Sequence, residues 1–145
     1  MKNVLSSDQM QKIARFFKKR SDITAVYLFG SLATNTASAL SDIDLAILYK
    51  TDPADITETR IDLITTISKI LGTDNVDIQV LHSAMSLPLA EQILKYGRIL
   101  VDSDPDKRIS FENKMRGLVF DFEPYLIQYL DAMEERLKKG TYGHR

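Results

Sequence analysis

The chain of 145 residues contains no cysteine. That excludes a disulfide framework and any zinc site built on thiolates, and it is compatible with the cytosol. No apolar run approaches the length of a membrane span. The opening Met1-Lys-Asn-Val-Leu-Ser-Ser lacks the apolar stretch of a secretory signal. A cytoplasmic protein with no membrane partner is therefore expected. The chain also has little net charge: 19 Lys and Arg against 20 Asp and Glu leave −1, with a pI near 6.1. A dedicated nucleic-acid binder usually carries a basic excess, so no stable grip on long DNA or RNA is expected. Internal repeats, linkers and low-complexity segments are absent as well. What is present is a chain that is 44% hydrophobic, enough for a core, at a length that suggests one domain.

The periodicity alternates between helix and strand. Ser6 and Gln9 stand at capping-box spacing, and Met10, Ile13, Ala14 and Phe17 then share one helical face. Lys18-Lys19-Arg20 closes that helix as a solvated basic end. Ile23 to Phe29 reads as a strand, and a second carries the chain to Tyr49. After the loop Lys50-Thr51-Asp52-Pro53, a helix is predicted from about Ala54 or Thr57 to Leu71, with Ile61, Ile64, Ile67 or Ser68, and Leu71 inward. Gly72 ends it. Asn75 to Leu81 alternates cleanly as a third strand, with Val76, Ile78 and Val80 on one face and Asp77, Gln79 and Leu81 on the other. Ser86-Leu87-Pro88 opens a short helix running to Tyr96-Gly97, and Arg98 to Val101 reads as an edge strand. Asp104-Pro105 caps a long helix patterned on Ile109, Met115 or Arg116, Val119 and Phe122. The pattern resumes as Leu126, Tyr129, Leu130, Met133 and Leu137 after Pro124, where a kink or a break into two helices is expected. That last stripe of Phe, Tyr, Leu and Met is read first as core and second as a docking surface. The residues from Thr141 to Arg145 are expected to fray.

The chemistry gathers between Phe29 and Leu45. A strand ends in Gly30-Ser31, and ten residues later come Asp42, one spacer, and Asp44. Residues two apart on a strand share a face, so the two carboxylates project together with Cα atoms roughly 6.5–7 Å apart. Ile43, Leu45, Ile47 and Tyr49 face the other way as core, and beyond the acids their own face turns apolar at Ala46 and Leu48. At an effective dielectric near 20, two anions at that spacing repel by about 2.5 kcal/mol. A divalent cation turns that repulsion into binding, and carboxylates are the oxygen ligands that Mg²⁺ shares with substrate phosphates. Gly30 permits close backbone approach to a ligand. A turn opening a short helix from Ser31 to about Ala37 would present N–H groups and a favourable dipole to phosphate, with the Ser31 hydroxyl as a further donor. Asp77 lies inside an apolar strand and needs a partner; the plain expectation is a neighbouring Lys or Arg. His82 reads as a solvated loop histidine, and His144 carries no role.

An isolated Asp-x-Asp or Gly-Ser is common. Joined as strand, Gly-Ser, ten residues, Asp-x-Asp, strand, they resemble the nucleotidyltransferase superfamily that includes the DNA polymerase β palm and the aminoglycoside nucleotidyltransferases. Length, the V-D-I-Q-V-L strand, the L-P-L-A-E-Q-I-L-K-Y-G-R-I-L-V-D segment and the R-I-S-F-E-N-K helix narrow the resemblance. They look like the minimal nucleotidyltransferase (MNT) antitoxins of the type VII toxin–antitoxin pairs with HEPN ribonucleases. The similarity spans about residues 9 to 137. It implies an α/β fold: a small mixed sheet flanked by helices, the minimal polymerase β-like form. It also implies a single domain with a catalytic core over about 7–102 and a C-terminal helical region over about 104–139.

By the same resemblance, such an antitoxin transfers AMP from ATP to a tyrosine of its HEPN ribonuclease toxin and silences it. Gly30 and Ser31 would hold the triphosphate. Asp42, Asp44 and Asp77 would be catalytic and would ligate two Mg²⁺ ions, with Asp77 also helping to deprotonate the tyrosine. Three other readings stand beside it: an antitoxin that acts by contact alone, a nucleotidyltransferase with a small-molecule acceptor, and a nucleic-acid polymerase. The last two fit poorly with the short chain, and the polymerase also with the acidic balance.

Overall fold

A computed structural model describes residues 5–30 and 42–139. The expected helix from Ser31 and the tail with His144 lie outside the described residues. Helix α1 (Ser7–Lys18) starts at the expected capping box: the Ser6 hydroxyl accepts from the Gln9 N–H at 3.1 Å, and the Gln9 side chain accepts from the Ser6 N–H at 3.0 Å. Strand β1 (Ile23–Phe29) is buried along its whole length. Strand β2 (Ile43–Tyr49) is buried except at Asp44. Helix α2 (Ile56–Leu71) is capped by Asp55 and ends at Gly72, whose φ of 70° is the left-handed conformation that a glycine adopts freely. Strand β3 (Val76–Leu81), helix α3 (Leu87–Tyr96), strand β4 (Arg98–Asp102) and helix α4 (Pro105–Lys139) complete the chain.

The four strands form one mixed sheet in the order β3-β2-β1-β4. β1 pairs antiparallel with β2 and with β4, whereas β2 and β3 run parallel, joined through α2. α1 and α2 cover one face, where Ile13, Phe17, Leu63 and Ile67 meet Ile43, Leu45, Ile47, Val76, Ile78 and Val80. α3 and α4 cover the other, where Ile93 and Phe111 meet Tyr27, Phe29, Ala46, Leu48 and Leu81. The period-two expectations for β2 and β3 are thus met residue by residue, because each strand is sandwiched and each face has its own core.

Three helical expectations need correction. Ile61 is 58% exposed, and Leu63 takes the inward place; two residues before Leu63, Ile61 points about 160° round the helix from it. Ile109 is also exposed, since α4 meets the sheet through Phe111 and Glu112. Of the two alternatives at Pro124, the break into two helices is excluded, since α4 runs as one helix through it. Its second half is largely uncovered: Phe120, Tyr125, Ile127, Tyr129, Leu130 and Leu137 are exposed, so the core reading of that stripe fails in the lone chain.

Candidate functional site

The acids converge through sheet pairing. Asp42 is the exposed residue immediately before β2, and Asp44 is the second residue of the strand. Asp44 sits opposite Phe29 of β1 on one side and opposite Asp77 of β3 on the other. Paired residues of neighbouring strands lie about 4.8 Å apart and point to the same face, so Asp44 and Asp77 stand side by side on the face covered by α3 and α4. The sequence expectation that β2 and β3 are neighbours is met, and the tertiary register adds that their acids are direct partners.

The electrostatics follow from this crowding. Burial, then the charges of Asp77 and Asp42, push the Asp44 carboxyl up to about 6. A carboxylate is held in a place where its own ionisation is opposed, which is how functional sites commonly differ from structural ones. Gly30 completes the arrangement. Its φ of 74° is left-handed, and a Cβ there would run into the Asp44 carboxylate. Any larger residue would be strained in backbone and would displace Asp44. The glycine is therefore needed for the acid beside it as well as for any ligand. Ser31 lies outside the described residues.

Asp77 finds the basic partner expected of an acid in an apolar strand. Arg60 of α2 donates from its terminal nitrogen to Asp77 Oδ1 at 3.3 Å and from Nε to the Ile78 carbonyl at 2.6 Å. Gln79 Nε2 donates to Asp77 Oδ2 at 3.3 Å. Arg60 was not singled out from the sequence, although it is the sole cation between Lys50 and Lys69; that isolation was the available signal. His82 stays a loop residue, its Nδ1 accepting from the Ala84 N–H at 3.3 Å.

Among the described residues, no three acidic, histidine or cysteine side chains form a ready metal cage. Mg²⁺ does not require one: it commonly takes one or two carboxylates and completes its shell with water and substrate phosphates. Mutually repelled carboxylates at a strand end suit that mode.

Deeper on the same face lies a second acid that sequence reasoning missed. Glu112 of α4 is 7% exposed. Its Oε2 accepts from the Tyr27 hydroxyl at 2.6 Å, and both of its oxygens accept from Arg108 at 3.2 Å. Arg108 also donates to Asp102 at 2.9 Å. The i,i+4 spacing of Arg108 and Glu112 was visible in the sequence, but the partner on β1 was not.

The nucleotidyltransferase family model for polymerase β matches residues 11–106, which include Gly30, Asp42, Asp44 and Asp77. No curated protein sequence matches the chain. Solved structures do. A toxin–antitoxin complex with AMP-PNP aligns at 25% identity and a TM-score of 0.71, covering 86% of this chain and 98% of that one. The MntA-HpeT toxin–antitoxin, in a mutant form, aligns with the same figures. The Shewanella oneidensis complex of a tri-AMPylated HEPN toxin with its MNT antitoxin aligns at 24% identity and a TM-score of 0.66, covering 87% of this chain and 96% of that one, and supports the fold alone.

Proposed function

The chain belongs to the polymerase β-type nucleotidyltransferase family, and from that premise we propose that it is the MNT antitoxin of a HEPN toxin–antitoxin pair. In this reading it is a Mg²⁺-dependent protein adenylyltransferase that moves AMP from ATP to a tyrosine of the toxin. The observation that carries the proposal is Asp44, wedged between Asp77 and Asp42 with its carboxyl pushed up to about 6. A relative 25% identical supports the nucleotide and the kind of partner: it is a toxin–antitoxin complex that holds AMP-PNP.

In the transfer, the tyrosine oxygen attacks the α-phosphorus of ATP, the bond from that phosphorus to the bridging oxygen breaks, and pyrophosphate leaves. Asp42, Asp44 and Asp77 would hold Mg²⁺, which when bound balances the phosphate charge and favours an ionised tyrosine oxygen. Gly30 keeps the space in which Asp44 stands, and with Ser31 it would cradle the triphosphate. Asp77, facing the same side as Asp44, would receive the tyrosine proton. An ordinary tyrosine has a pKa near 10, so at neutral pH a base beside it helps. The uncovered second half of α4, with Phe120, Tyr125 and Ile127 exposed, is the surface on which the acceptor protein would dock.

A second reading, an antitoxin that acts by contact alone, draws on one observation: Asp77 is already engaged by Arg60 and Gln79. Intact mass of the partner toxin after incubation with the chain, ATP and Mg²⁺ separates the two. A gain of one or more AMP units, lost with Asp42→Asn/Asp44→Asn, supports the transferase. An unmodified toxin in a stable, inhibited complex supports contact alone.

A further inference from the structure

We propose that Arg60 is a built-in counter-cation for Asp77, held in the metal-free protein and yielded when a divalent metal arrives, so that it sets how much metal the site needs. This rests on the transferase reading above and goes beyond it, because Arg60 belongs neither to the sequence motif nor to the strands that carry it.

The placement is specific. α2 packs on the sheet face opposite the acids, through Leu63 and Ile67. β3 is an edge strand, so a long side chain from α2 can pass round its free edge. Arg60 does so and reaches Asp77, whose side chain alternates onto the far face. The two contacts made by Arg60 are unequal. Its bond to the Ile78 carbonyl is short, at 2.6 Å, and its bond to Asp77 is long, at 3.3 Å. The guanidinium is thus anchored to backbone, and the carboxylate only leans on it. The Gln79 amide on the other oxygen is equally long, at 3.3 Å. A carboxylate held by two long bonds turns away easily, while the cation stays behind.

Charge explains why such a cation is useful. Without a metal, Asp77 and Asp44 repel, and a fixed positive charge beside Asp77 offsets that. When a metal takes over Asp77, the same charge opposes it. The Arg60 and Asp77 side chains are 35% and 38% exposed, so solvent screens the effect to a few-fold rather than orders of magnitude.

The test is Mn²⁺ alone, titrated into the full chain and followed by electron paramagnetic resonance, beside metal-free thermal melts. Arg60→Gln is expected to bind Mn²⁺ roughly three- to tenfold more tightly than the parent, while its metal-free melting temperature falls. A side chain that merely shaped the site would weaken metal binding when lost. Arg60→Lys keeps the charge without the two-pronged fork; it is expected to bind Mn²⁺ about as tightly as the parent and less tightly than Arg60→Gln, and the neutral Arg60→Met takes the place of the glutamine variant if that one does not fold. In the Asp77→Asn background, Arg60→Gln is expected to lose most of its tightening. Mn²⁺ affinity unchanged or weakened in Arg60→Gln overturns the counter-cation; so does unchanged or weakened affinity in Arg60→Met where only that variant folds. A parent chain that is folded yet binds no Mn²⁺ overturns the transferase reading itself, and the counter-cation with it.

Discussion

Two acids on one face of the same sheet are treated in opposite ways. Glu112 is surrounded by donors: the Tyr27 hydroxyl at 2.6 Å, Arg108 at 3.2 Å and, more loosely, Arg116 at 3.7 Å. Burial, and then Glu112, push the Tyr27 hydroxyl well above the usual tyrosine range, so it stays protonated and donates. Asp44 is instead influenced by other acids, Asp77 and Asp42, and its carboxyl rises to about 6. One carboxylate is neutralised by the fold and ties α4 to β1. The other is kept in tension, which a cation brought from outside would relieve. Burial alone therefore does not mark a functional acid; the sign of its neighbours does.

Removing the tension should have the largest effect. Asp44→Asn should lower AMP transfer on the order of a thousandfold, since a neutral amide is a poor metal ligand, read as the rate of mass gain on the partner toxin. A transfer rate within tenfold of the parent would place the chemistry elsewhere. Next comes the donor-rich acid. Glu112→Ala leaves Arg108 short of one partner and the buried Tyr27 hydroxyl without its acceptor, and should cost about 3 kcal/mol in stability. Denaturant melts would show this, and activity per folded molecule should be kept.

A smaller effect has the opposite sign. The native pKa of Asp44 is raised, so the native state holds its proton more tightly than the unfolded chain does. Its contribution favours folding at low pH and is lost as pH rises from the ordinary carboxylate range through about 6. Metal-free Asp44→Asn should therefore be more stable than the parent at pH 7, by roughly 1 kcal/mol after solvent screening, with the gap closing toward pH 4. A gap that does not depend on pH would mean that Asp44 is not under tension. The smallest effect concerns α4 beyond Glu112, where no such lock operates. Phe120 is 74% exposed, so Phe120→Ala should change the stability of the lone chain by less than about 0.5 kcal/mol. If that face receives the toxin, pull-down of the complex should weaken several-fold or more.

Local pattern made much of this legible. The capping box at Ser6 and Gln9, the stop at Gly72 and the two faces of β2 depend on residues a few positions apart, so they can be read along the chain. The spacing of Gly30, Asp42 and Asp44 pointed to the candidate site through the family it resembles, and the structure brings Gly30 against Asp44. α2 shows where such reading fails: the inward stripe was drawn through Ile61, Ile64, Ile67 and Leu71, whereas the packed helix turns Leu63 and Ile67 to the sheet and leaves Ile61 exposed. The last stripe of α4 failed for a related reason. An apolar pattern reports that a face wants to be covered, not which chain covers it.

By itself, then, the amino-acid order determined the elements, the mixed α/β class and the pair of acids at the start of β2, because propensity, capping and two-residue alternation are short-range effects. The register that sets Asp44 beside Asp77, the need for Gly30 as space for that acid, the passage of Arg60 round the sheet edge and the pairing of Glu112 with Tyr27 were decided only in the tertiary structure. Each joins residues separated by 14 to 85 positions. Such contacts exist only once the sheet has closed, since strand pairing across long loops is selected by packing of the whole core and not by any local preference.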